Sequence, residues 1–373
     1  MKILFTVEYF YPQIGGAQEV VRQIAERLAK KGHQVTVATS GIPQGKNEEL
    51  NNVKIKRFKI SGNKVKGIGG EIDEYNKFLL NTNFDIIVNY AAQSWTTDLT
   101  FDLLDKVKTV KILMPCGYSG LALWSKRIFY WNYFRKLPSY LRKYDHIVYH
   151  LDNYTDKTFG DKHNIEHYSI IPNGIDINEI QNSTIKFREL YSINTKYMLL
   201  NVSNHYKLKG HSFVLKSFKL LNRNDVTLVI IGNKVSGLSG CYSKCKQNVS
   251  DNPNIVLLEN VPRDHTVSAF HEADVFTFGS KVECFPLVIL ESMSVGLPYV
   301  STNVGCVKQM GGGIVVNSPM EMTDVVNKLL SNENYRREIG KKGQYECLSQ
   351  YTWDTIIPKY EKLFQRVTEI RQI

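Results

Sequence analysis

The sequence predicts an α/β protein built as two successive doubly wound domains. Three observations lead there. Short apolar runs alternate with helical patterns along the chain, as they do where parallel sheets are covered by helices. The alternation comes in two series, separated by Ile171-Pro172-Asn173-Gly174-Ile175-Asp176, in which Pro and Asn-Gly favour a turn. The 373 residues are long for one domain and comfortable for two.

In the first series, strands are expected at 3–7, 34–39, 53–60, 85–89, 110–114 and 146–150. Several are continuous β-branched runs, as strands buried on both faces are. Between the first two, Val20, Val21, Ile24 and Leu28 recur at helical spacing over 16–31, and Gly32 ends the helix. The second series places strands at 197–202, 226–231, 255–258, 275–278 and 299–301. From about Ser318 the chain reads as helical, with Trp353, Ile356, Ile357, Tyr360, Leu363, Phe364 and Val367 forming an apolar stripe that suits packing. The expected division is therefore 1–172, 173–352 and a terminal helix over 353–373 that packs back on the N-terminal domain.

Composition narrows the class. Hydrophobic residues make up 43% and charged residues 22%, ordinary for a globular protein. No apolar run reaches the ~18 residues of a membrane span. The apolar start is shorter than a signal peptide and meets Glu8 at once, so the expected location is cytoplasmic. The net charge of +11 suits an anionic partner or simple solubility. It leans toward the first half, +7 through Pro172 (24 basic residues against 17 acidic) and +4 beyond it (23 against 19).

The six cysteines are scattered. Cys241 and Cys245 are four apart and could share a helix face, but a zinc site needs two more ligands, and none is assigned with them. Free buried thiols are the expectation, and no metal site is assigned.

The strongest chemical signal is Glu283-Cys284-Phe285-Pro286-Leu287-Val288-Ile289-Leu290-Glu291, a loop after a strand that opens a helix. If the helix starts near Phe285, Glu291 lies about two turns in. A carboxylate there can accept two hydrogen bonds from a ribose diol, and a helix N-terminus favours phosphate. Two surface glutamates on an ordinary βα unit are the plain alternative.

The chain continues through Ser292-Met293-Ser294-Val295-Gly296-Leu297-Pro298 into another strand. This stretch resembles the donor-binding signature of glycosyltransferase family 4 (glycosyl transferases group 1), a retaining GT-B family: Glu-x7-Glu, a helix, then Gly-x-Pro. Other landmarks follow in order. Tyr11-Pro12-Gln13-Ile14-Gly15-Gly16-Ala17-Gln18-Glu19 resembles the family's glycine-rich first loop, 171–176 its hinge element, and Lys209-Gly210 its donor-phosphate element.

The resemblance implies a metal-independent retaining transferase with its active site in the cleft between two facing Rossmann-like domains. The donor is a nucleotide diphosphate sugar and the acceptor a glycan, a lipid-linked or a small molecule. On this reading Gly15, Gly16, Asn204, Lys207, Lys209, Glu283, Phe285, Pro286, Leu287 and Glu291 bind the donor. Glu283 and Lys209 are catalytic, together with Cys116 and Gly117, whose backbone groups contact the sugar. Lys209 offsets charge on the leaving diphosphate; a solvated loop lysine is its alternative. The sequence has no Asp-x-Asp metal clamp, and no cofactor is expected.

Three positions depart from the family pattern. Asn204 stands where many members have arginine, with Lys207 as a point cation nearby. Cys116 stands where many have histidine. In Asn303-Val304-Gly305-Cys306-Val307-Lys308, Cys306 and Lys308 replace a glycine and an acidic residue. A nucleotide-sugar epimerase of the same fold is the competing enzyme reading, and the departures motivate a non-enzyme one, a degenerate sugar-binding or membrane-docking protein.

Residues 123–137 mix four cationic residues with six aromatics, and the stretch continues through 143, ending on Arg142-Lys143. They suit an anionic membrane face, an acceptor glycan, or a core helix with its cations in water. Single-strand nucleic-acid binders use similar residues, but no nucleic-acid motif accompanies them.

Overall fold

The computed structural model describes residues 1–13, 15–41, 48–81, 83–122, 124–235, 239–250 and 252–372. It divides into two units, Met1–Asn173 with Trp353–Ile373, and Gly174–Thr352.

The first unit holds β1 (Lys2–Thr6), β2 (Gln34–Ser40), β3 (Glu48–Leu50), β4 (Val53–Phe58), β5 (Ile60–Asn63), β6 (Gly67–Gly70), β7 (Ile86–Tyr90), β8 (Val110–Met114), β9 (His146–Tyr149) and β10 (Tyr168–Ile170). Eight of these form one sheet in the order β10-β9-β8-β7-β1-β2-β4-β3. It is parallel except for β3, which runs antiparallel on β4. β5 and β6 make a separate hairpin.

The central strands β7 and β8 are buried along their whole length, which is why they read as mostly apolar rather than alternating runs, broken only by the buried Asn89 and Lys111. The helix Gly16–Lys30 buries Val20, Val21, Ile24, Ala25 and Leu28. It stops where Gly32 takes a φ of +90°. The last helix, Trp353–Gln372, belongs to this unit and packs on Gly16–Lys30. Its apolar stripe is buried, and its outer face is tied by Lys31–Glu361 (2.7 Å) and Arg371–Asp145 (2.6 Å) ion pairs.

The second unit holds β11 (Tyr197–Val202), β12 (Val226–Ile231), β13 (Ile255–Leu258), β14 (Val275–Phe278), β15 (Tyr299–Thr302) and β16 (Gly313–Val316). They form an all-parallel sheet in the order β13-β12-β11-β14-β15-β16. The five strands expected here are present.

The differences are at edges and turns. The run 53–60 breaks at Lys59 into β4 and β5. The strands β3, β6, β10 and β16 were not expected. They are three or four residues long and polar or glycine-bearing, so tertiary pairing rather than apolar pattern makes them strands. The helix after Glu283 starts at Leu287, not near Phe285, because Pro286 is its N-cap and a residue before proline is held extended. Glu291 is therefore only its fifth residue.

Candidate functional site

The C-terminal sheet locates the site. Its winding runs from β11 outward through β12 to β13, then crosses to the other side and continues through β14 to β16. The reversal falls between β11 and β14. Open α/β sheets bind ligands beyond the carboxyl ends of strands at such a reversal. Two loops leave there, 203–210 after β11 and 279–286 after β14.

These loops are laced together. The Lys281 amide donates to the Leu208 carbonyl (2.8 Å), and so does Ser280 Oγ (3.1 Å). Gly210 has a φ of +66°, and a Cβ on it would stand 1.7 Å from the Gly279 carbonyl oxygen. Both the backbone angle and the close approach require glycine. Behind them, Gly305 has a φ of +51° and lies against the Cys284 carbonyl, which a Cβ would meet at 2.2 Å.

The lacing brings Lys209 to Glu283. Lys209 Nζ lies 2.6 Å from Glu283 Oε1, which also accepts from Ser280 Oγ at 2.7 Å. The lysine side chain is one-third exposed and the carboxylate only 13%. A cation is thus held at the ligand end of the sheet, just before the helix Leu287–Ser294. Phe285 and Pro286 are buried in this turn, with the Phe285 ring edge-on to Tyr351 at 5.8 Å.

Glu291 is buried and paired, a partnership that sequence spacing does not reveal. Arg263, first residue of the helix Arg263–Glu272, places Nη2 2.6 Å from Glu291 Oε1. Its Nε lies 3.0 Å from Glu179. Burial opposes the arginine charge, yet the two carboxylates outweigh it and raise the Arg263 pKa. Glu291 Oε2 is buried and, among the described residues, has no hydrogen-bond partner. Asn204 Oδ1 accepts from the Asn233 amide (3.0 Å), and Lys207 is exposed. Cys306 is buried and Lys308 exposed.

In the N-terminal unit, Gly15 is extended (φ 179°) and precedes the helix Gly16–Lys30. A Cβ on Gly16 would meet nothing within 4 Å. The local fold therefore does not demand glycine at 16, whereas a Cβ on Gly15 would meet Gln18 Oε1 at 2.6 Å. Ile14 lies outside the described residues.

Cys116 and Gly117 follow β8 and both have positive φ (+58° and +83°). The Gly117 amide donates to Asp156 Oδ2 at 2.8 Å, so it is committed within the protein and not offered to a sugar. Burial pushes the Asp156 carboxyl up to about 6, opposed by the Gly117 and Lys157 amides. A carboxylate so enclosed needs those donors. Cys116 Sγ lies 3.6 Å from Tyr90 Oη, which in turn is 3.5 Å from His150 Nε2. Tyr90, His150 and Asp156 had no sequence signal; they converge only through strand order.

Of the basic aromatic stretch, Leu123 lies outside the described residues. Tyr130, Tyr133, Phe134, Leu137 and Leu141 enter a core cluster with Phe101 and Tyr118. Ile128, Phe129 and Trp131 remain outside, 79%, 75% and 62% exposed, with Arg135 stacked on Trp131 at 5.0 Å. The core reading holds for one face only. Among the described residues, no helix is long and apolar enough to cross a membrane.

Comparison with known proteins agrees with this geometry. Residues 182–345 match the family described as "Glycosyl transferases group 1", and residues 14–179 match "Glycosyltransferase Family 4". The chain is 21% identical over 392 residues to an N-acetyl-alpha-D-glucosaminyl L-malate synthase of Bacillus anthracis, covering 96% of this chain and 95% of that protein. It is 26% identical over 202 residues to the capsular polysaccharide biosynthesis glycosyltransferase CapM of Staphylococcus aureus, about half of each protein.

Among solved structures, a sucrose-phosphate synthase from Thermosynechococcus elongatus superimposes with a TM-score of 0.85 at 14% identity over 99% of both chains. Anabaena HepE in complex with UDP and glucose gives 0.80 at 15% identity, over 98% of this chain and 100% of that one. The two family matches fall one on each half of the chain, and the match over 182–345 contains the laced loops of Lys209 and Glu283: this is a glycosyltransferase of GT-B fold that belongs to glycosyltransferase family 4.

Proposed function

We propose that the chain transfers a hexosyl group from a nucleotide diphosphate sugar with retention of anomeric configuration. The observation behind this is the Lys209–Glu283 pair at the winding reversal of the C-terminal sheet. The donor diphosphate lies against Lys209 and the Leu287 and Val288 amides at the start of the helix Leu287–Ser294, where a helix supplies no acceptor of its own. The ribose takes Glu291 Oε2, and Glu283 faces the transferred sugar. The bond from the anomeric carbon to the diphosphate breaks, and a bond to an acceptor hydroxyl forms on the same face. The acceptor proton goes to the leaving diphosphate, whose charge Lys209 offsets. No metal enters the step. A structural relative that holds UDP-glucose makes a uridine donor the first to try.

The test is donor hydrolysis across UDP-, GDP- and ADP-sugars. One nucleotide diphosphate should be released, and Glu283→Gln should abolish the release. Glu291→Ala should raise donor KM about tenfold with a smaller change in kcat, as loss of a ground-state contact does. Unchanged KM would sink the ribose role. Release of free epimerised sugar nucleotide would point to an epimerase, and tight donor binding without turnover to a degenerate protein.

The acceptor is assigned to a glycan or a lipid-linked molecule presented at an anionic membrane. The exposed Ile128, Phe129 and Trp131 beside Arg135 and Lys136 support this, since apolar tips with flanking cations suit a headgroup boundary. The chain should sediment with vesicles containing anionic lipid. Neutralising Lys126, Arg127, Arg135 and Lys136 together should weaken that binding at least tenfold, at about 1 kcal/mol per cation. Equal sedimentation with neutral vesicles would show that charge is not the cause.

A further inference from the structure

Four metal-ligating side chains meet in the C-terminal unit. His205 and His211 stand in and just after the loop following β11, while Cys241 and Cys245 lie at and within the start of the helix Tyr242–Ser250. One ligand atom from each lies within 4.8 Å of those of the other three. Cys241 Sγ is 3.3 Å from His211 Nδ1 and 3.9 Å from His205 Nδ1. The two imidazoles stack with centroids 4.5 Å apart. His205, His211 and Cys245 are buried and Cys241 is half-buried. Tetrahedral zinc, with bonds of about 2.0 Å to nitrogen and 2.3 Å to sulfur, sets ligand atoms roughly 3.3–3.8 Å apart. The four side chains need close by only about 1 Å to reach that spacing.

We propose that this cluster is a structural zinc site of the two-cysteine, two-histidine kind. The set is closed, with no open position for a substrate, and its two thiolates and two imidazoles select zinc over magnesium or calcium. The surroundings fit. His211 Nε2 lies 3.2 Å from the Ser203 carbonyl oxygen and 3.0 Å from its hydroxyl. That nitrogen is thereby occupied as the outer nitrogen of a metal ligand usually is, leaving Nδ1 to bind. His205 Nε2 is buried and, among the described residues, takes no hydrogen bond, so moving that ring onto a metal breaks no described bond at that nitrogen. Binding releases one proton from each thiol as Zn²⁺ takes the two thiolates.

The site would clip the donor loop. Lys207 and Lys209 lie between the two histidines. Their loop is already joined to the cysteine segment by the Lys207 amide to Ser239 (2.8 Å) and the Cys241 amide to His205 (2.9 Å). Zinc would add a third, side-chain tie. This consequence rests on the donor-phosphate reading of Lys209; the metal site itself does not.

The experiment uses the full chain, purified under reducing conditions without chelator. Elemental analysis should find one zinc per chain. After stripping, cobalt(II) should restore binding with a thiolate charge-transfer band and tetrahedral ligand-field bands. Chelation should lower the melting temperature by about 5 °C or more. The Cys241→Ser/Cys245→Ser double variant should lose the thiolate band, and His205→Ala should weaken cobalt binding at least tenfold. A reduced wild-type chain that carries no zinc and gives no cobalt–thiolate band overturns the proposal without any variant. So does a band that survives in the double variant. A chain that binds zinc yet no sugar nucleotide leaves this site standing and removes the transferase mechanism instead.

Discussion

Lys209→Met is expected to lower kcat for sugar transfer by about 10²–10³-fold, with a smaller change in donor KM. Charge grows on the diphosphate oxygen as the bond to the sugar breaks, so a cation placed there stabilises the transition state more than the ground state. The Lys209 ammonium is positioned before the donor arrives, by Glu283 at 2.6 Å and by the two loops that hold both residues. A preorganised charge needs little reorientation during the reaction. Steady-state kinetics with the donor that the hydrolysis panel identifies will measure it. A loss confined to KM would mean that Lys209 binds donor and transition state equally, and a loss under tenfold would remove it from the chemistry. The melting temperature should change little, because the lysine is one-third exposed and such pairs contribute modestly.

Gly210→Ala is expected to cost about as much activity, although it removes no functional group. The added Cβ would stand 1.7 Å from the Gly279 carbonyl oxygen, a backbone atom that cannot swing aside. The left-handed φ of +66° adds about 1–2 kcal/mol for any residue with a Cβ. The loops after β11 and β14 must then part, and Lys209 moves away from Glu283. A displacement of about 1 Å at a reacting centre can cost about 10²-fold. Melting should fall by several degrees, since each kcal/mol is worth about 2–4 °C in a unit of this size. Gly16→Ala is the contrast: a Cβ there meets nothing, so folding should be unaffected and any kinetic change would report on ligand. Wild-type kcat in Gly210→Ala would show that the lacing of the loops does not position the lysine.

Much of the architecture was legible in the chain. Strands β7, β8, β11 and β12 are buried on both faces and declare themselves as mostly apolar runs, because strands covered on both faces are dominated by apolar residues. Glu283, Glu291 and Lys209-Gly210 were legible for another reason: they lie in short stretches with a recognisable order. The edge strands β3, β10 and β16 were not legible, since hydrogen bonds to a neighbour make them strands rather than their side chains.

Sequence by itself therefore determined the α/β class, the two series of units and the helix stop at Gly32. Tertiary structure alone decided the partnerships. Lys209 and Glu283 are 74 residues apart and meet because β11 and β14 are neighbours in the sheet. Arg263 reaches Glu291 from a different helix, and Asp156 claims the Gly117 amide across 39 residues. His205 and His211 find the two cysteines 30 or more positions downstream. A linear pattern records which side chains prefer water and which turns the backbone can make. It does not record which strand lies beside which, and a charge or a lone pair is satisfied by whatever that arrangement brings within about 3 Å.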